Sequence, residues 1–302
     1  MIGAKRTRAV LLCLLTMATA GACGSSAAVV AGTGTGRAAA GPVGSRAFTI
    51  RTADRRVRSF FVYAFGSAAA RRPLVLVYHG AGETAKQAAA ETDFVSVAKQ
   101  DGLIVAFMQG YADTWNEGAG HTPARVAGVD DVQYTAAALS RIGRSYRIDR
   151  SRIAAVGFSN GALMTQLLGC RLAGELTAIV PLEGEMPTSI SPGCHPRRPI
   201  SVLEVHGTAD PTIPYDGGHF AGVGGGTSVL SAPASISRWA ALDRCANSQR
   251  TTAGSTRVTT YSVCHAGVAV TLRTIVGGRH WWPPGVGGLI SDFLSHHPHV
   301  AR

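Results

Sequence analysis

Short apolar runs recur along the chain, separated by longer mixed stretches. Leu74-Val75-Leu76-Val77-Tyr78, Leu103 to Met108, Ile153-Ala154-Ala155-Val156, Ala178 to Leu182, Ile200 to His206 and Val270 to Val276 read as strands buried on both faces of a parallel sheet. Between them, helices are expected from about Ala85 to Lys99, from Asp131 to Tyr146 and from Asn160 to Cys170, with Asp130 and Asp131 at a helix start. Upstream, Phe48-Thr49-Ile50 and Phe60-Phe61-Val62-Tyr63 flank the polar turn Ala53-Asp54-Arg55, the pattern of an antiparallel pair. This alternation predicts an α/β fold with a mostly parallel central sheet and helices on both faces.

The first 44 residues follow a different pattern. Lys5, Arg6 and Arg8 precede an apolar stretch, Ala9 to Ala20, that is short for a membrane span and fits a secretory signal. Thr19-Ala20-Gly21-Ala22-Cys23-Gly24-Ser25 resembles a bacterial lipoprotein processing site, with Cys23 the residue to be lipidated. Ala20 stands where that pattern usually has Leu, so cleavage and release is the alternative. Residues 24–44 are mostly Ala, Gly, Ser and Thr and cannot bury a core, which makes them a tether. The expected organisation is therefore a signal at 1–23, a tether at 24–44 and one α/β domain at 45–302, located outside the cell or in its envelope.

Export changes the reading of the cysteines. Cys13 and Cys23 belong to the signal, leaving Cys170, Cys194, Cys245 and Cys264, an even number suited to disulfides. Proximity favours Cys170 with Cys194 and Cys245 with Cys264, although three pairings are possible. A zinc site is disfavoured by the absence of a Cys-x-x-Cys spacing. The net charge of +11 raises the question of nucleic acid, but the basic residues are scattered and Arg51 to Arg58 alternates like a half-exposed strand. No nucleic-acid partner is expected, and membrane contact only through the lipid anchor.

The chemistry centres on Gly157-Phe158-Ser159-Asn160-Gly161, placed between an expected strand and an expected helix. A strand that turns sharply into a helix strains the serine backbone and needs small flanking residues, which leaves the Ser159 hydroxyl exposed as a nucleophile. The Asn160 amide, at the helix start, can hold an oxyanion. His79-Gly80-Ala81-Gly82 follows another strand and offers the Ala81 amide as the second donor, with His79 expected to hold that loop. Asp210, in the turn after His206-Gly207, is the candidate acid, with Asp216 as the alternative. His280, in the Gly/Pro-rich loop from Gly277 to Pro284, is the candidate base. Trp115 and Trp282 are candidates for substrate contact.

Serine, acid and histidine in this chain order are expected of the α/β-hydrolase arrangement. His79-Gly80-Ala81-Gly82, Trp115-Asn116, Asp130-Asp131-Val132, Gly157 to Gly161, His206-Gly207-Thr208-Ala209-Asp210 and Gly277-Gly278-Arg279-His280-Trp281-Trp282-Pro283 also carry a resemblance. The chain resembles the exported polyhydroxybutyrate depolymerase and feruloyl esterase-like group of carbohydrate esterase family one, and within it the lipoprotein esterases. That resemblance implies an α/β-hydrolase fold, ester hydrolysis through Ser159, Asp210 and His280, and disulfides like those above; the serine mechanism itself requires no metal or organic cofactor. Arg279 departs from the third glycine often found there. No insertion between Leu182 and Ile200 is long enough for a helical lid, so an open site suited to extended or polymeric esters is expected, and the substrate is a small-molecule or polymeric ester. The competing expectations are a non-catalytic envelope binding protein on the same fold and a serine peptidase.

Overall fold

The computed structural model describes residues 44–67, 69–222 and 226–297. The expected signal, Cys23 and all of the tether but Gly44 lie outside these residues. In chain order the elements are β1 (Gly44–Arg51), β2 (Val57–Ala64), β3 (Arg72–Tyr78), α1 (Ala85–Glu91), α2 (Phe94–Asp101), β4 (Ile104–Met108), α3 (Pro123–Val126), α4 (Asp131–Ser145), β5 (Ile148–Phe158), α5 (Asn160–Leu172), β6 (Ala178–Leu182) and β7 (Ser201–Gly207). They continue with β8 (Gly218–Phe220), β9 (Thr227–Val229), α6 (Ala232–Leu242), β10 (Asn247–Ala253), β11 (Thr256–Ser262), β12 (Val270–Ile275) and α7 (Val286–His296).

Ten strands form one sheet in the order β1-β2-β4-β3-β5-β6-β7-β12-β11-β10. The six central strands, β4 to β12 in that order, run parallel to one another, and two further strands joined antiparallel complete each edge. The apolar runs explain the layering. Every residue of β3 is buried. Its Leu74, Leu76 and Tyr78 pack in one core layer with Tyr134 and Ile142 of α4, Met164 and Leu168 of α5 and Trp239 of α6. Val75 and Val77 point into the other, with Phe94 of α2 and Ile290 and Phe293 of α7. The α/β-hydrolase expectation is met, with loops from β3, β5, β7 and β12 gathered at one carboxyl edge.

Three details differ from the sequence reading. The helix expected from Ala85 to Lys99 is two helices, interrupted so that the Asp93 carboxylate can accept from the Gly287 and Gly288 amides (2.7 and 3.3 Å) at the start of α7. The β10–β11 hairpin was not anticipated, because β10 is exposed along its whole length and carries no apolar alternation. A two-stranded ribbon, β8–β9, follows the Asp210 turn. The cysteines pair as proximity suggested: Cys170–Cys194 ties the end of α5 to the loop before β7, and Cys245–Cys264 joins the two ends of the β10–β11 hairpin.

Candidate active site

Ser159 sits at the junction of β5 and α5 with φ 55° and ψ −120°, a backbone conformation that strains any residue but glycine. Close packing holds it there. A Cβ on Gly157 would lie 2.0 Å from the Gly161 carbonyl oxygen, and one on Gly161 would lie 2.2 Å from that of Tyr78. The Ser159 amide donates to the Leu182 carbonyl (3.0 Å), and the Ser159 carbonyl accepts from the Ala162 and Leu163 amides (2.8 and 3.1 Å). The serine is thereby fixed on both sides.

Asp210 and His280 meet through two loops locked together. The Ala209 amide donates to the Gly278 carbonyl and the Gly277 amide to the Thr208 hydroxyl, both at 2.9 Å. Gly207 packs so tightly that a Cβ there would lie 2.3 Å from the Gly278 carbonyl. Asp210 Oδ1 accepts from the Thr212 and Ile213 amides (2.7 and 3.0 Å), and Oδ2 lies 2.7 Å from His280 Nδ1. Burial opposes ionisation of Asp210, but hydrogen bonds from His206, His280 and the Thr212 amide hold its pKa well below the ordinary carboxylate value. Asp216, the alternative acid, is exposed on the next turn.

Ser159, His280, Ala81 and Asn160 line one cavity of about 280 Å³, whose other walls include Phe158, Leu163, Ile213 and Phe220. Asn160 begins α5, so its amide belongs to the first turn of a helix, where N–H groups have no intrahelical acceptor. His79 holds the opposite loop. Its Nδ1 lies 2.8 Å from the Gly80 carbonyl and its Nε2 accepts from the Gly110 amide at 3.0 Å.

A family model described as phospholipase/carboxylesterase matches residues 65–221, more than half of the chain. The chain belongs to that family. It is 33% identical over 230 residues to feruloyl esterase B of Piromyces equi, which covers 74% of this chain and 42% of that one. It is 26% identical over 158 residues to a bifunctional acetylxylan esterase/xylanase of Neocallimastix patriciarum, covering 52% of this chain and 22% of the relative. The chain thus spans less than half the length of these curated relatives. Among solved structures, an acetyl xylan esterase from Aspergillus awamori superposes with a TM-score of 0.60 at 12% identity, over 83% of this chain and 99% of the other, a likeness of fold.

Within this carboxylesterase-family site, both tryptophans expected to touch substrate are packing residues. Trp115 is fully buried and edge-on to Tyr78, with ring centroids 4.9 Å apart. Its indole N–H donates to the His79 carbonyl and its amide to Asn160 Oδ1 (2.9 and 2.8 Å), so it braces the two loops that carry the candidate oxyanion donors. Trp282 is also buried. Its ring lies 5.0 Å from that of Phe158 and its N–H reaches Glu83 Oε2 at 3.4 Å, so it packs against two residues that line the cavity. Asp130 caps α4 as expected, but Asp131 does more. It accepts from buried Arg58 (2.6 Å) and from the Asn116 amide (2.8 Å), fixing the loop that carries Trp115.

Sequence reasoning missed three features. The β8–β9 ribbon supplies Phe220 and Thr227 to the cavity wall. Two carboxyls, Glu83 and Glu117, also line the cavity, both with pKa values raised by burial. Behind Asp210 lies a buried cluster of Glu183, Glu185, Glu204 and His206. Glu185 contacts His206 Nδ1, while His206 Nε2 lies 3.2 Å from Asp210 Oδ2, 3.4 Å from Glu183 Oε2 and 3.0 Å from the Ile213 carbonyl. Glu204 accepts from Ser235 (2.8 Å) and Gln166 (3.1 Å). Burial pushes the Glu183 and Glu204 carboxyls up to about 8. Glu183, His206 and Asp210 have atoms within 4.8 Å of one another, the spacing of a metal site. The Ile213 carbonyl can only accept, however, so Nε2 carries a hydrogen and has no lone pair for a metal. Glu183 follows the apolar run of β6 and Glu204 lies within that of β7, and carboxyls that pair only with distant residues leave no sequence spacing to find.

Proposed function

We propose that this protein is an exported serine carboxylesterase that works through Ser159, His280 and Asp210. The observation that carries the reading is the 2.7 Å contact from His280 Nδ1 to Asp210 Oδ2, with His280 and strained Ser159 lining the same cavity. With Nδ1 engaged, Nε2 is the ring nitrogen available for the serine proton. Ser159 Oγ attacks the ester carbonyl carbon while His280 takes its proton, and the amides of Ala81 and Asn160 hold the oxyanion. His280 then protonates the departing alkoxide, leaving an acyl-serine. Water, deprotonated by the same imidazole, releases the carboxylic acid and restores the hydroxyl. No step calls for a metal or organic cofactor.

The walls of Phe158, Leu163, Ile213 and Phe220 suit an acyl group that is compact and apolar, aromatic or short aliphatic. Likeness to a feruloyl esterase and an acetylxylan esterase supports esters of that kind ahead of polyhydroxybutyrate. Two disulfides fit an oxidising compartment, in line with export, and Cys23 is the proposed lipid attachment point. A complete serine, histidine and aspartate set disfavours a non-catalytic binding protein, and the relatives' names disfavour a peptidase.

The test is hydrolysis of chromogenic acetyl, butyryl and feruloyl esters and of acetylated sugar by the mature protein, beside folded Ser159→Ala. Turnover that vanishes in the variant is the expected result. Equal turnover in both, or none in either, contradicts the proposal.

A further inference from the structure

His206 is a buried imidazole that the proposed chemistry does not use. Its side chain is fully buried, and every polar atom facing it is an acceptor or a carboxyl. Nε2 faces the Ile213 carbonyl, Asp210 and Glu183, and Nδ1 faces Glu185. The titratable groups around it are Glu183 and Glu185 from the turn after β6, Glu204 from β7, Asp210, and Tyr215, whose ring centroid is 5.8 Å away. His280 reaches it only through their shared acceptor, Asp210 Oδ2.

Resting on the esterase reading above, we propose that His206 is a positioning residue: a buried imidazolium, held by Glu185 and Glu183, that fixes Asp210 against His280 and sets the acid limb of activity. The geometry supports this directly. A carbonyl oxygen forces a hydrogen onto Nε2. Glu185 Oε1 closely approaches Nδ1 outside ordinary hydrogen-bond geometry, so a proton must lie between them, and with Glu185 ionised that proton makes the ring a cation. Burial alone would lower the His206 pKa, yet the charge of Glu185 and the hydrogen bond to Asp210 carry it well above the ordinary value. Asp210 Oδ2 is then divided between two imidazoles at 2.7 and 3.2 Å. The rear cation orients the carboxylate and draws on its charge. Without that cation, Asp210 would act on His280 alone and favour its protonated form. The base would then be lost at a higher pH.

Two readouts separate this account from a merely structural role. Nitrogen NMR of the histidines in the whole protein, assigned with His206→Gln, should show two protonated ring nitrogens on His206 from pH 5 to 8. A neutral ring at pH 7 overturns the proposal whether or not the protein hydrolyses esters. In kcat/KM profiles from pH 4 to 9, His206→Gln and Glu185→Gln should each move the acid limb up by about half a unit or more, with KM changed less than kcat. The double variant removes both members of the pair, which guards against loss of folding from one unpaired buried charge, and should shift no further than either single variant. An acid limb superimposable on the wild type's in any folded variant contradicts the proposal. Absence of Ser159-dependent turnover in the wild type, with His206 doubly protonated, would instead sink the esterase reading and the catalytic part of this one.

Discussion

The two sides of Asp210 differ in material. In front, beyond His280, lies a cavity walled by Phe158, Leu163, Ile213 and Phe220, with the Ser159 hydroxyl, Glu83, Glu117, Thr122, Thr212 and Thr227 among its polar residues. Behind, around His206, lies a buried cluster of three glutamates and one imidazole, reinforced by Gln166 and Ser235. The front must admit a substrate, so its walls are apolar and its donors belong to backbone that strain and close packing keep in place. The rear admits nothing, so it can concentrate charge at low dielectric, where each interaction is stronger and each unpaired group more costly. On the proposed esterase reading, the front carries the chemistry and the rear the orientation, with Asp210 as the seam.

The largest expected effect lies in front. Ser159→Ala should lower kcat by roughly 10⁵-fold or more while leaving the melting temperature nearly unchanged, measured by ester hydrolysis and thermal denaturation. A comparable loss of stability would mean that the serine was serving the fold. At the seam, Asp210→Asn keeps the Oδ1 acceptor for the Thr212 and Ile213 amides and loses the charge facing His280, so kcat should fall by about 10⁴-fold. A drop of only a few-fold would break the division of labour.

The rear should answer chiefly in stability and its pH dependence. The Glu204 carboxyl is raised by burial to about 8, so it is neutral in the folded protein at pH 7 and ionised in the unfolded chain. Folding is therefore favoured most below the unfolded pKa, and that contribution drains away as pH rises towards 8. Glu204→Gln removes the titration and keeps an acceptor for Ser235 and Gln166. Its melting temperature should fall less than the wild type's between pH 5 and 9, a difference that calorimetry at each pH would reveal. The smallest effect returns to the front wall. Phe220→Ala removes an apolar wall of the cavity and should raise KM for an aromatic ester about five-fold, with kcat within about two-fold.

Most of the front was legible in the sequence because backbone geometry writes itself in glycines. Gly157 and Gly161 are required by contacts that any Cβ would violate, and the continuous apolar strands placed Ser159, Asp210 and His280 at one sheet edge. Trp115 and Trp282 were misread, since a large aromatic on a loop can as readily pack under a site as line it; here their N–H groups find partners in the His79 carbonyl and Glu83. The rear was hidden for a different reason. Glu183 and Glu185 follow β6 while Glu204 and His206 lie in β7, and only the register of these two strands brings them together. The exposed β10–β11 hairpin left no apolar trace.

The central claim is that Ser159 is an activated nucleophile. Labelling with a fluorophosphonate, followed by intact-mass and peptide mass spectrometry, tests it without knowledge of the substrate. The account predicts one adduct per chain, located at Ser159, forming far more slowly in folded His280→Ala and absent in Ser159→Ala. An unlabelled but folded wild-type protein, or an adduct that forms as fast without His280, would contradict it.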